Sequence, residues 1–205
     1  MQWWGQYVYT VYMKAELTSD RIAAEARKLL DAEGVDAVTM RRVAGAVGIT
    51  AMAVYRHYPD RDGLLNALAN AGFAELAARL TAARLKGDLA TRMRKVLDVN
   101  VDFALEQPRL FELMFLRNRP GARKFPVDFA AGKSPTANQF AELMAEGIRE
   151  GVFEDVDIWE IAFETGALLQ GLVMLYQGGR IDATQTEFRR ICHRALERYL
   201  NGIRK

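Results

Sequence analysis

From residue 18 to the end of the chain, apolar residues recur at the 3.6-residue spacing of a helix, and no stretch alternates apolar and polar positions over the length of a strand. The pattern predicts an all-α fold. Thr18 stands where an N-cap is wanted, Ile22, Ala26, Leu29 and Leu30 follow on one face, and Gly34 closes this first helix. Thr39 caps a second helix with the stripe Met40, Val43, Ala44 and Val47, and Gly48 stops it. Thr50 caps a third, Ala51 to about Tyr58; Pro59 and Asp60 end it and cap a fourth that begins near Arg61. Two short helices joined by a tight Gly-containing turn form a helix-turn-helix, in which the second helix enters a DNA major groove; the same hairpin also occurs as a plain packing unit.

Further along, the spacing predicts a helix over about Asp88 to Gln107, stopped by Pro108, and a short bulky helix from Leu110 to Leu116. The Pro-rich stretch from Asn118 to Pro135 reads as the main loop, with Arg119, Arg123, Lys124 and Lys133 in solvent. Another helix covers roughly Thr136 to Glu150. The capping-box pairs Asp157/Glu160 and Thr184/Glu187 open the last two helices, Ile158 to about Gln177 and a final one to about Gly202. The longest uncharged run, Thr165 to Gly179, falls short of the roughly 20 apolar residues of a membrane span, so none is expected. Residues 1–17 stand apart. They hold MQWWGQYVYTVYM with no charge before Lys14, and fit a strand by propensity or a helix by the spacing of Trp3, Trp4, Tyr7, Val8, Val11 and Tyr12. They lack the features of an export signal and read as an extension of uncertain role, or as an early start with Met13 the first residue.

A composition that is 50% hydrophobic and 26% charged excludes a disordered tail, and the single Cys192 excludes a disulfide scaffold and points to the cytoplasm. The net charge of +2 announces no partner by itself. Its distribution says more: Arg41, Arg42, Arg56 and Arg61 face only Asp60 between Thr39 and Arg61. Two of these arginines occupy the first turn of the second helix, where the macrodipole disfavours cations, so an anion is expected nearby. A second basic cluster, six residues against Glu197 from Phe188 to Lys205, reads as a solvent-facing helix end. Catalysis is not expected: His57 and His193 lie far apart in the chain, Cys192 points away from His193, and there is neither metal-ligand spacing nor a phosphate loop. No metal and no cofactor are expected.

The segment Leu17 to Leu68, LTSDRIAAEARKLLDAEGVDAVTMRRVAGAVGITAMAVYRHYPDRDGLLNAL, resembles the DNA-binding domain of the TetR family of transcriptional regulators. The resemblance includes the Gly after the first helix, the T-M-R opening of the second, and Y-R-H-Y-P-D-R-D-G-L-L. It implies a homodimeric, repressor-type regulator of a palindromic double-stranded operator, controlled by a small molecule in a larger helical C-terminal domain. The expected division is 1–17 extension, 18–64 helix-turn-helix domain with the motif at about 39–58, and 65–205 ligand-binding and dimerisation domain.

Carried over by position, Thr39 and Arg41 contact phosphates, Tyr55 and His57 contact backbone or bases, and Arg61 takes the place of a phosphate-binding lysine. The exposed start of the recognition helix, after Thr50, is Ala51, Met52 and Ala53; Ala51 replaces a common Lys or Gln, so thymine methyls and Arg56 to guanine carry the expected readout. Arg42 replaces a frequent acid and adds an electrostatic contact. Large apolar side chains beyond simple core demand mark an effector pocket: Met93, Phe103, Phe111, Met114, Phe115, Phe140, Met144, Trp159, Phe163 and Met174, with Gln170 and Asn100 as orienting polar groups. The absence of charge among them suits an apolar or aromatic effector. The resemblance places the dimer interface on the last two helices, where Gly166, Ala167 and Gly171 allow close approach and Ile191 and Leu196 supply apolar contact. The competing reading is an all-α ligand-binding or interaction protein with weak or no specific DNA binding, which the Ala51 departure permits.

Overall fold

A computed structural model describes the backbone of residues 3–205 and the side chains from residue 18 onward; the expectations for the side chains of residues 1–17 lie outside the described residues. Ten α-helices and no strand are found among them. Two compact units divide the chain, one running to Ala71 and taking in Glu112–Gly121, the other made of Gly72–Phe111 and Ala122–Lys205.

The first unit holds α1 (Trp3–Glu33), α2 (Met40–Val47), α3 (Ala51–Tyr55) and the first half of α4 (Arg61–Ala82). Thr18, expected as an N-cap, lies inside α1, because helical geometry continues upstream to Trp3. Ile22, Ala26 and Leu30 of α1 and Val43 and Val47 of α2 are buried, as their helical spacing required, and so are Val54, Leu64 and Leu68, with α1 packed on α2 and α2 on α3. This core also receives a segment distant in sequence. Leu113 and Met114 are buried in a π-helical turn, Glu112–Leu116, and Arg119, only 7% exposed, donates to the carbonyls of Leu113 and Met114 and to Asn66 Oδ1 of α4 at 3.0, 3.2 and 2.8 Å. The expectation of a solvated Arg119 is therefore corrected: its guanidinium ties the stretch after the turn to α4. The compact unit is correspondingly larger than residues 18–64.

The second unit is built on α5 (Leu89–Glu106), α8 (Pro135–Arg149), α9 (Ile158–Gln177) and α10 (Gln185–Asn201), with the short α6 (Pro108–Phe111) and α7 (Val127–Ala130). Asp88 caps α5, accepting from Thr91 N at 2.8 Å, and these hydrogen bonds hold its carboxyl below the usual range. The Thr184–Glu187 capping box opens α10 with both reciprocal bonds formed, and Asp157 caps α9. Charged pairs link neighbouring helices: Arg92 of α5 with Glu146 of α8, Arg189 of α10 with Asp102, and His193 with Asp98 at 2.6 Å. By length and composition alone α9 is apolar enough to cross a membrane. Its outer face leaves Phe163, Met174 and Leu175 exposed, while Ile161, Leu169 and Val173 are buried.

Candidate nucleic-acid interface

Each joint of the helix-turn-helix has a local physical cause. Thr39, in extended backbone, accepts from Arg42 N at 3.3 Å and so starts α2. Gly48 ends α2 at φ 76°, a left-handed conformation costly for a residue with a Cβ, and the Ile49 amide returns to the Ala44 carbonyl at 3.0 Å. Thr50 then accepts from Ala53 N at 3.2 Å to start α3, and Asp60 Oδ1 accepts from Gly63 N at 2.7 Å to start α4. Because α3 stops at Tyr55 rather than Tyr58, Arg56 to Tyr58 form a turn; Tyr58 is half-buried with its hydroxyl 3.1 Å from Ser19 Oγ.

This frame fixes what faces outward. Val54 is buried, while Met52 and Tyr55 are 67% and 46% exposed on the same short helix. Arg41, Thr50 and Arg56 are exposed, and Thr39, Ala51, Ala53 and His57 are half-buried. Neither Arg41 nor Arg56 forms an ion pair with another described residue. The other two arginines of the cluster are engaged within the chain. Arg42 grips Glu33 of α1 through both terminal nitrogens, at 2.9 and 2.6 Å, and this hydrogen-bonded carboxylate raises its pKa further. Glu33 is thus the anion expected beside the start of α2. Arg61 donates to the carbonyls of Val38 and Val35 at 2.7 Å each, closing the turn that leads into α2, with Asp36 at 3.8 Å. Sequence reasoning missed Arg21, which donates to the Val47 carbonyl at the end of α2. Nothing in its immediate sequence signals that long-range partner.

The effector candidates fall in both compact units. Met114 and Phe115 belong to the first, where the π-helical turn packs, whereas the others, Met93 and Asn100 among them, lie in the second. Phe103, Phe111, Phe140 and Met144 are buried core side chains; Trp159 and Gln170 are half-buried, and Phe163 and Met174 exposed. Phe163 stacks on Phe125 with ring centroids 4.4 Å apart. Of the residues expected at a dimer interface, Ala167 is exposed, Gly166, Gly171 and Ile191 are half-buried, and Leu196 is buried within its own chain. A cavity of about 390 Å³ beside Arg92 and Glu146 is lined by none of these effector candidates, and another of about 170 Å³ beside His193 by Met93 alone among them.

A capped helix-turn-helix with an exposed second helix, followed by a helical body, is the architecture found in DNA-binding transcriptional regulators. The family model described as "Bacterial regulatory proteins, tetR family" matches residues 22–68, and one described as "Tetracyclin repressor-like, C-terminal domain" matches residues 93–199. The chain belongs to the TetR family of bacterial regulatory proteins. It is 28% identical over 141 residues to the HTH-type transcriptional repressor Rv1474c of Mycobacterium tuberculosis, a match covering 65% of this chain and 70% of that protein. It is 29% identical over 82 residues to the nucleoid occlusion factor SlmA of Pasteurella multocida, covering 40% of this chain and 41% of that one. A solved structure of a protein with unknown function from Rhodococcus sp. RHA1 superposes with a TM-score of 0.74 at 27% identity, covering 92% of this chain and 96% of the other.

Proposed function

We propose that this regulator is a repressor that binds a palindromic operator as a homodimer and leaves it when a small apolar or aromatic effector occupies the C-terminal domain. The observation that carries the reading is the outward pair Met52 and Tyr55 on a capped α3, with Arg41 and Arg56 in no ion pair among the described residues. Arg41 and Thr39 hold phosphates and Tyr55 and His57 fix the register. Met52, flanked by Ala51 and Ala53, meets thymine methyls and Arg56 reads guanine. Arg42 and Arg61 act from behind as supports for α2, with their charge still available to the backbone field. The domain roles follow the expected division: 18–64 binds DNA, 65–205 senses and dimerises. The dimer interface falls on the last two helices, at Gly166, Ala167, Gly171, Ile191 and Leu196, where the exposed Ala167 and the open space at Gly171 suit pairing with a second copy across an isologous interface. In this reading the chain is cytoplasmic, without catalytic role, metal or cofactor, and makes no membrane contact.

Fluorescence anisotropy on a palindrome from the gene's own upstream region tests the proposal. Arg41→Ala or Tyr55→Phe is expected to weaken binding about tenfold or more with the fold intact, and affinity is expected to fall steeply with salt. An absent or salt-insensitive shift would sink the DNA reading. For the effector, a ligand screen by thermal shift identifies compounds that bind the folded state. Phe163→Ala or Met114→Ala should then alter the response while operator affinity stays; unchanged responses in both would make those residues plain core. A second reading is supported by the lack of a polar base-reading group at Ala51 to Ala53 and by the likeness to a nucleoid occlusion factor: an interaction protein with weak sequence preference. Equal affinity for the palindrome and a scrambled duplex would favour it.

A further inference from the structure

The C-terminal basic cluster, which DNA binding does not use, meets a cavity in the second unit. The cavity measures about 170 Å³ and lies among the start of α5, the turn at Val152 and Phe153, and the second half of α10 with the residues after it. Its floor is apolar and buried: Leu89, Met93, Phe153, Leu196 and Leu200. The floor is closely fitted, since a Cβ on Gly147 would collide with the Phe153 ring and with Leu89. The wall is pinned by backbone, with Glu154 N donating to the Ile203 carbonyl at 2.9 Å and Lys205 N to the Val152 carbonyl at 3.2 Å.

The mouth has the opposite chemistry. Arg94, Arg194 and Arg204 line it, all exposed, and none forms an ion pair with a described residue. Glu197 and Asn201 are also there, and His193 is turned to Asp98 at 2.6 Å. Three guanidinium groups against one free carboxylate leave a net positive mouth over an apolar floor. That combination selects a ligand with one anionic end and one apolar body. The volume sets its size: an apolar cavity of roughly 150 Å³ accommodates one benzene ring.

We propose that this cavity binds a small aromatic monocarboxylate, its ring on Met93, Phe153, Leu196 and Leu200 and its carboxylate among Arg94, Arg194 and Arg204. Of the effector candidates named from the sequence, Met93 alone lines this cavity, so the site is distinct from the pocket that the others would form.

Benzoate is the probe, with benzamide as the uncharged isostere and acetate as the charge without a ring, each titrated into the full-length protein by calorimetry and thermal shift. At about 10 mM, benzoate is expected to raise the melting temperature by roughly 2–4 °C, and benzamide and acetate to leave it unchanged. The exposed double substitution Arg94→Gln/Arg204→Gln should weaken benzoate binding about tenfold or more, and Ala90→Trp, which fills the mouth from an exposed position on α5, should abolish it. Phe163→Ala should leave it unchanged. No benzoate binding, equal binding of benzamide, undiminished binding in both mouth variants, or loss in Phe163→Ala would each overturn the proposal.

Discussion

Both compact units pair some arginines with carboxylates, as Arg27, Arg42 and Arg117 are in the first, but among the described bonds only the first unit also turns arginines onto backbone carbonyls. In the first, Arg61, Arg119 and Arg21 donate to backbone carbonyls, of Val35 and Val38, of Leu113 and Met114, and of Val47. In the second, Arg79, Arg92 and Arg189 are paired with carboxylates, of Glu75 and Glu106, of Glu146, and of Asp102. A carbonyl satisfies a guanidinium's hydrogen bonds without cancelling its charge, whereas a carboxylate does both. The first arrangement lets the same residues hold the helix-turn-helix together and keep it electropositive. The second produces a locally neutral scaffold in which unpaired arginines, such as those at the cavity mouth, stand out.

The sharpest way to break this contrast is Arg119→Met. It leaves two carbonyls and Asn66 Oδ1 without their donor in a buried place, and the expected loss is about 3 kcal/mol in urea unfolding. A loss below about 0.5 kcal/mol would mean that the buried guanidinium is not an anchor. Arg61→Gln should cost less, about 1 kcal/mol, because its side chain is 38% exposed and water replaces part of what it satisfies. Operator affinity should fall with it through the loosened start of α2, so anisotropy together with unfolding separates support from direct contact. The smallest expected effect comes from acid. Glu146 is held below the ordinary carboxylate range, chiefly by its hydrogen bond from Arg92, and Asp88 and Glu187 by their capping bonds. Groups with depressed pKa values stabilise the fold above the unfolded value, near 4, and that contribution is lost as pH falls through the folded value. Guanidinium-to-carbonyl bonds do not titrate there. Hydrogen exchange compared at pH 6 and pH 3.5 should therefore show α5 and α10 losing protection before the turn at Leu113 and Met114, whose carbonyls Arg119 holds, with intrinsic exchange rates corrected; the reverse order would contradict the contrast.

What was legible in the sequence follows the same division between local and distant causes. Thr39, Gly48, Thr50, Asp157 and the Thr184–Glu187 box announce themselves because a cap acts within a few residues of itself. The buried faces of α1 and α2 were readable for a similar reason, since spacing alone assigns them. Arg119 was not: it sits in a Pro- and Gly-containing stretch that reads as loop, and its side-chain partner, Asn66, lies 53 residues earlier in the chain. Arg42 was legible as an electrostatic conflict but not in its solution, because Glu33 reaches it from another helix. The effector candidates were chosen by size and apolarity, properties shared by core and pocket, and most of them lie in the core. The cavity at the C-terminal cluster depends on the return of the chain after α10 to the turn at Val152, which no periodicity encodes.

The stretch Glu112–Gly121 sets where this chain can be divided. Its residues lie in the second half of the sequence yet fold with the helix-turn-helix, joined to it by Arg119 on Asn66 and by Arg117 near Asp36. A hybrid that joins this head to another member's body at Ala71 would receive a foreign stretch there. Ten residues from the middle of the chain have to travel with the first seventy for the head to remain whole.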